Sequence, residues 1–162
     1  ALKIAEGATV TLNVSGTGRL ESKAPIRVNK VATSSAAINV TNGGTLLSDG
    51  LILVMPTRPF TINVDGGTIG AIGEGKSYNN FFERVQDISV GPNGMTFDTG
   101  DNTVNVQTPL VTMGSSGTIT KIGSGTLVVP PVAAWNCSSA ALTTWPIFST
   151  CARLAISGTT PP

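Results

Sequence analysis

Histidine is absent from the 162 residues, cysteine occurs twice, charged side chains make up 12% of the chain and aromatics 5%. Without an imidazole there is no Ser-His-Asp or Cys-His relay, no His-ligated metal site and no ordinary general base near neutral pH. Two thiols fall short of a four-ligand zinc site. The net charge of +1, with basic residues scattered from Lys3 to Arg153, lacks the basic stripe that nucleic acid demands, so no nucleic-acid partner is expected. No apolar run reaches the roughly 18 residues of a helical membrane span. The best stretch, Leu51 to Met55, stops at Pro56, and no membrane span is expected. What fills the chain instead is 22 Thr, 19 Gly, 14 Ser and 11 Asn. That is the composition of strands and turns rather than helices.

Cys137 and Cys151 enclose a short loop and suit a disulfide, which would contribute roughly 3 kcal/mol in the chain-entropy model and would belong to an exported protein. The other reading is a pair of free buried thiols. A start at Ala1 without Met fits a mature chain whose signal has been removed, so a secreted or cell-surface location is expected. Sequons at Asn13, Asn39 and Asn136 carry weight only in a eukaryotic host.

A repeat organises the sequence. The triplets Leu12-Asn13-Val14, Ile38-Asn39-Val40, Ile62-Asn63-Val64, Ile88-Ser89-Val90 and Val104-Asn105-Val106 recur at nearly even intervals, the last being markedly shorter. After Asn39 and Asn63 the chain continues alike through a Gly turn to Thr45-Leu46 and Thr68-Ile69. Each unit reads strand, turn, strand, with the aliphatic residues of a triplet on one face and Asn on the other. Such a unit cannot bury its apolar face alone, whereas copies stacked about 4.8 Å apart bury a continuous column. A parallel β-solenoid of about six or seven coils, on the order of 30 Å long, is predicted. The alternative is an antiparallel β-sandwich, for which Asn42-Gly43, Asp49-Gly50, Asp65-Gly66 and Asn93-Gly94 are hairpin signals. Lys76 to Val85 interrupts the Gly/Thr texture and reads as a short helix or an excursion loop. Pro130-Pro131 closes the repeats, dividing the chain into a solenoid, residues 1–129, and a Pro/Trp/Cys cap or linker, residues 130–162.

Within Gly91 to Val129, the residues Gly117, Ile119, Lys121, Gly123, Gly125, Leu127 and Val129 follow the order Gly-x-Leu-x-Lys-x-Gly-x-Gly-x-Leu-x-Leu, with Ile119 in place of the first Leu. This stretch, about a quarter of the chain, resembles the autotransporter-associated β-strand repeat of bacterial surface and secreted β-helix proteins. Phe97, Asp98 and Gly100, with Asn105, Val106, Pro109 and Leu110, look like the strand that precedes the motif there. The resemblance implies a right-handed β-helix, export, and an adhesive or structural role at the bacterial surface, with no catalytic residue carried over.

Few groups offer chemistry. Gly70 to Ser77 satisfies the P-loop pattern, in which backbone amides cradle phosphates, but the pattern needs a helix starting at Lys76, and in so Gly-rich a chain the glycines also read as a turn between coils. Asp98 and Asp101 flank Gly100 and are calcium candidates, Asp beside Gly being equally a turn former. Asn13, Asn39, Asn63 and Asn105 occupy one place in four repeats and would stack as an amide ladder, or simply face water. Trp135 and Trp145, with Tyr78, could stack on sugar rings; two Trp beside a disulfide also plug a solenoid end. The function expected is a non-enzymatic structural or adhesive module without cofactor, forming a homo-oligomer or head-to-tail filament, or binding a surface glycan or host receptor. The alternative is a carbohydrate-binding or polysaccharide-degrading module on the same scaffold, with Asp65, Asp98 and Asp101 as its acids.

Overall fold

A computed structural model describes residues 1–29, 31–86, 88–108, 110–112, 117–129 and 154–156. The first coil holds β1 (Lys3–Ile4), β2 (Thr9–Ser15) and β3 (Arg19–Ser22), and the second β4 (Ile26–Val28), β5 (Ser35–Thr41) and β6 (Thr45–Ser48). The third holds β7 (Leu51–Leu53), β8 (Phe60–Asp65), β9 (Gly67–Ala71) and β10 (Ser77–Tyr78). The fourth holds β11 (Phe82–Glu83), β12 (Ile88–Val90), β13 (Met95–Asp98) and β14 (Thr103–Asn105). The fifth holds β15 (Leu110–Thr112), β16 (Ile119–Ile122) and β17 (Thr126–Val128), and β18 (Leu154–Ile156) pairs with β16.

Every pairing between these strands is parallel and joins one coil to the next. The result is four sheets: β1-β4-β7-β11, β2-β5-β8-β12-β15, β3-β6-β9-β13-β16-β18 and β10-β14-β17. The chain is therefore a parallel β-solenoid of about five turns, not the antiparallel sandwich. Six or seven coils were too many because the count ran over the whole chain, whereas the described coils end at Val129 and the step from Leu51 to its partner Phe82 is longer than the others.

The triplets behave as their period dictates. Burial alternates along β5, Ala36, Ile38 and Val40 facing the core while Ala37 and Asn39 face out. Register then stacks like on like, Val14 on Val40 on Val64 on Val90 in the second sheet and Leu20 on Leu46 on Ile69 on Phe97 in the third. These columns form one continuous core. Where the coil widens to admit the fourth sheet, Phe81, Phe82 and Phe97 are fully buried and meet edge to face, with ring centroids 4.9 Å apart for Phe81 and Phe82 and 5.5 Å for Phe81 and Phe97. Larger rings fill the larger cross-section.

The corner between the second and third sheets requires glycine. A Cβ on Gly44 would strike the carbonyl of Val14, and one on Gly67 that of Val40, at the same corner one coil on. Just before Gly44, Asn42 and Gly43 take positive φ of 51° and 89°. The Asn-Gly and Asp-Gly pairs are thus solenoid corners rather than hairpin tips.

The expected helix or loop at Lys76 to Val85 is instead β10 and β11, and among the described residues there is no helix. Residues 130–153 and 157–162, with Cys137, Cys151, Trp135 and Trp145, lie outside the described residues, so β18 is the one described part of the proposed cap or linker.

Candidate functional surface

The Asn residues of the second sheet fall in register, Asn13 opposite Asn39 and Asn39 opposite Asn63. The Asn39 amide donates to Asn13 Oδ1 at 2.7 Å, and the Asn63 amide to Asn39 Oδ1 at 2.8 Å. The ladder faces outward, Asn13 being exposed and Asn39 and Asn63 half-buried. Its next rung is Ser89, which pairs with Asn63.

Asn105 is not in this column. It lies in β14 of the fourth sheet, and its amide donates to the Tyr78 carbonyl at 3.1 Å. The short interval before Val104 has this cause: the triplet belongs to a later strand of the fourth coil, not to a new coil of the second sheet.

Around the ladder lie the other outward positions of the same sheet. Thr9 stands opposite Ser35, and Thr11 opposite Ala37 and then Thr61. Ser15 stands opposite Thr41. The Thr9 and Ser35 hydroxyls are bonded at 2.9 Å. Among the described strand residues of this sheet Asp65 is the one charged side chain, and it accepts from the Asn93 backbone N–H at 2.7 Å and the Asn93 amide at 3.1 Å. The third sheet adds a second regular column, Thr45, Thr68, Thr96 and Thr120, all half-buried. Sequence reasoning missed this Thr column, because Gly-Thr marks only Thr45 and Thr68, while Thr96 follows Met95 and Thr120 follows Ile119.

The calcium candidates do not converge. Asp98 Oδ1 accepts from the Gly100 N–H at 2.8 Å, and Asp101 Oδ1 from the Gly75 N–H at 3.0 Å, so each carboxylate clamps a turn. Among the described residues no three His, Cys, Asp or Glu side chains come together.

The Gly70 to Ser77 stretch has a strand, β10, where a phosphate-binding loop needs a helix. Gly70 is buried in β9, and Lys76 is committed to Asp49 at 2.8 Å. Tyr78 also donates to Asp49, at 2.9 Å, while its oxygen accepts from the Gly73 N–H at 3.1 Å. The Lys76 hydrogen bond chiefly holds Asp49 below the usual carboxylate range, and burial, with the Asp49 bond, pushes Tyr78 up to about 12.

Asn102, fully buried at the corner between the third and fourth sheets, is a further residue that sequence reasoning missed. Its amide donates to the carbonyls of Gly73 at 3.0 Å and Thr99 at 2.8 Å, and its oxygen accepts from the Lys76 N–H at 2.9 Å. A polar side chain in so full a set of bonds ties two successive coils together. Nothing in the triplet pattern marks it, because it stands at a corner rather than within a strand.

Among the described residues no helix is long and apolar enough to cross a membrane. No family model, no curated protein and no solved structure matches this chain.

Proposed function

We propose that this chain is a non-enzymatic structural or adhesive module of an extracellular or cell-surface β-solenoid. The observation that carries the reading is where the carboxylates go. Asp49, Asp65, Asp98 and Asp101 are each engaged by a neighbouring backbone N–H, amide, hydroxyl or ammonium group rather than aimed at one another. Glycan hydrolysis needs a carboxyl pair facing across a substrate. These acids are used up in holding turns.

The finer features follow the same reading. The solenoid winds right-handed, the sense taken by parallel crossovers in general. The likeness of Gly117 to Val129 to the autotransporter-associated repeat of bacterial surface β-helices supports the surface role. Each of β1, β2 and β3 has a strand neighbour on one side only among the described residues, so its other edge is a template for another copy in a head-to-tail filament.

Negative-stain electron microscopy over a range of concentrations, beside a reducing-end assay on polysaccharides, tests this. The expected outcome is fibres that lengthen with concentration and no released ends. Discrete short particles at every concentration would remove the filament and leave adhesion; released reducing ends would overturn the non-enzymatic reading.

A further inference from the structure

We infer that the outward face of the second sheet is the adhesive surface, and that its ligand is a neutral polysaccharide lying along the solenoid axis; this rests on the adhesive reading above. Three properties of the face point there.

The first is charge. Over β2, β5 and β8 the outward side chains are Thr9, Thr11, Asn13 and Ser15, then Ser35, Ala37, Asn39 and Thr41, then Thr61, Asn63 and Asp65. Only Asp65 is of a charged type, and Asn93 donates to each of its oxygens. Of the charges borne by described strands of the first two coils, Lys3 and Arg27 lie in the first sheet and Arg19 with Glu21 in the third. A phosphate, an acidic glycan or a lipid headgroup would meet no cation among the outward residues of β2, β5 and β8, whereas a neutral polymer would forfeit no charge on docking.

The second is functionality. Each ladder amide keeps hydrogen-bonding capacity after its bonds along the ladder: Asn39 spends one of two N–H donors and one of two oxygen lone pairs. A sugar hydroxyl is both donor and acceptor, so a column of half-used amides can exchange bonds with successive rings. The methyl groups of Thr11, Ala37 and Thr61, one column over, offer apolar contact to the C–H faces of the same rings.

The third is repetition. The rungs recur at the strand spacing of about 4.8 Å, close to one ring unit of an extended glycan, so one contact set is presented again at each coil. The bonds between rungs hold the amides in place before binding, which lowers the ordering cost of docking.

Co-sedimentation of the full chain with cellulose, chitin and β-1,3-glucan particles, with pectate gel as the anionic control, tests the inference. The expected result is retention on at least one neutral polymer and none on pectate. The double variant Thr11→Lys with Thr61→Lys should lower that affinity at least tenfold while thermal unfolding and sheet content are unchanged. Arg27→Gln, on a different sheet, should bind as the wild type does. Binding to none of the neutral polymers, binding to pectate alone, or equal binding by the double variant would each overturn the inference. A double variant that changes only the sedimentation coefficient of the free protein would make this face a contact between copies, overturning the glycan but not the structural reading. Release of reducing ends during the incubation would instead strike the non-enzymatic reading, whatever the face binds.

Discussion

Asp49, Lys76 and Tyr78 bring an acid, a cation and a phenol from successive coils into one set of contacts, and their titration makes the contact measurable. Because Asp49 titrates lower folded than its unfolded 3.8, its contribution to stability is present above that value and is lost as pH falls through the folded one. Tyr78 runs the other way in consequence. The folded chain keeps a phenolic proton that the unfolded chain releases above 10.0, so stability falls as pH climbs from there to about 12. Urea unfolding of wild type and Tyr78→Phe across that interval should show the gap between them shrinking with pH; a constant gap would mean that the phenol does not titrate against Asp49. In the ladder, Asn39→Ala removes two bonds and is expected to cost about 1–2 kcal/mol, more than Asn105→Ala, which removes one. Equal costs by denaturant titration would show that the second ladder bond adds nothing. The alternation of Ile38, Asn39 and Val40 was enough to put Asn39 on the outer face, because a strand has only two faces. It could not say which column Asn105 joins, since that depends on how many strands share a coil.

At the scale of elements, the second and third sheets were legible and the fourth was not. β5 and β8 repeat the same alternation after similar turns, and parallel stacking follows from having one apolar face per unit. β10 and β11 are two residues each, too short to carry a period. Their identity comes from packing, with Phe81 and Phe82 filling the widened coil against Phe97. That role makes a quantitative expectation. Phe82→Ala should cost about 3–5 kcal/mol, as for other fully buried aromatic rings, in urea or thermal unfolding. A loss below about 1 kcal/mol would mean that the segment packs loosely in the widened coil.

For the whole molecule, the sequence-level solenoid holds in its parallel, coil-on-coil form, and the number of coils was overestimated because coils of about 20 to 26 residues were spread over the whole chain, beyond the described coils that end at Val129. The candidate surface was legible only in part. Its Asn residues were visible as a repeated triplet, but their joining to Thr11, Ala37 and Thr61 in a neutral sheet face depends on register, which no single repeat contains. Coil-on-coil register is also what every functional proposal here requires, since it alone turns scattered polar residues into columns. In a background with Cys137 and Cys151 changed to Ser, the pair Ala37→Cys with Thr61→Cys places two thiols on register partners of adjacent coils, both facing out. The pair Ala37→Cys with Ile62→Cys instead sets the second thiol on the opposite face, in the core. Mild oxidation followed by mass spectrometry of the native chains should cross-link the first pair rapidly, its Cα atoms being at the strand spacing, and leave the second reduced. Failure of the first pair to close, or closure of the second in its place, would contradict the stacked register and with it the surface built on it.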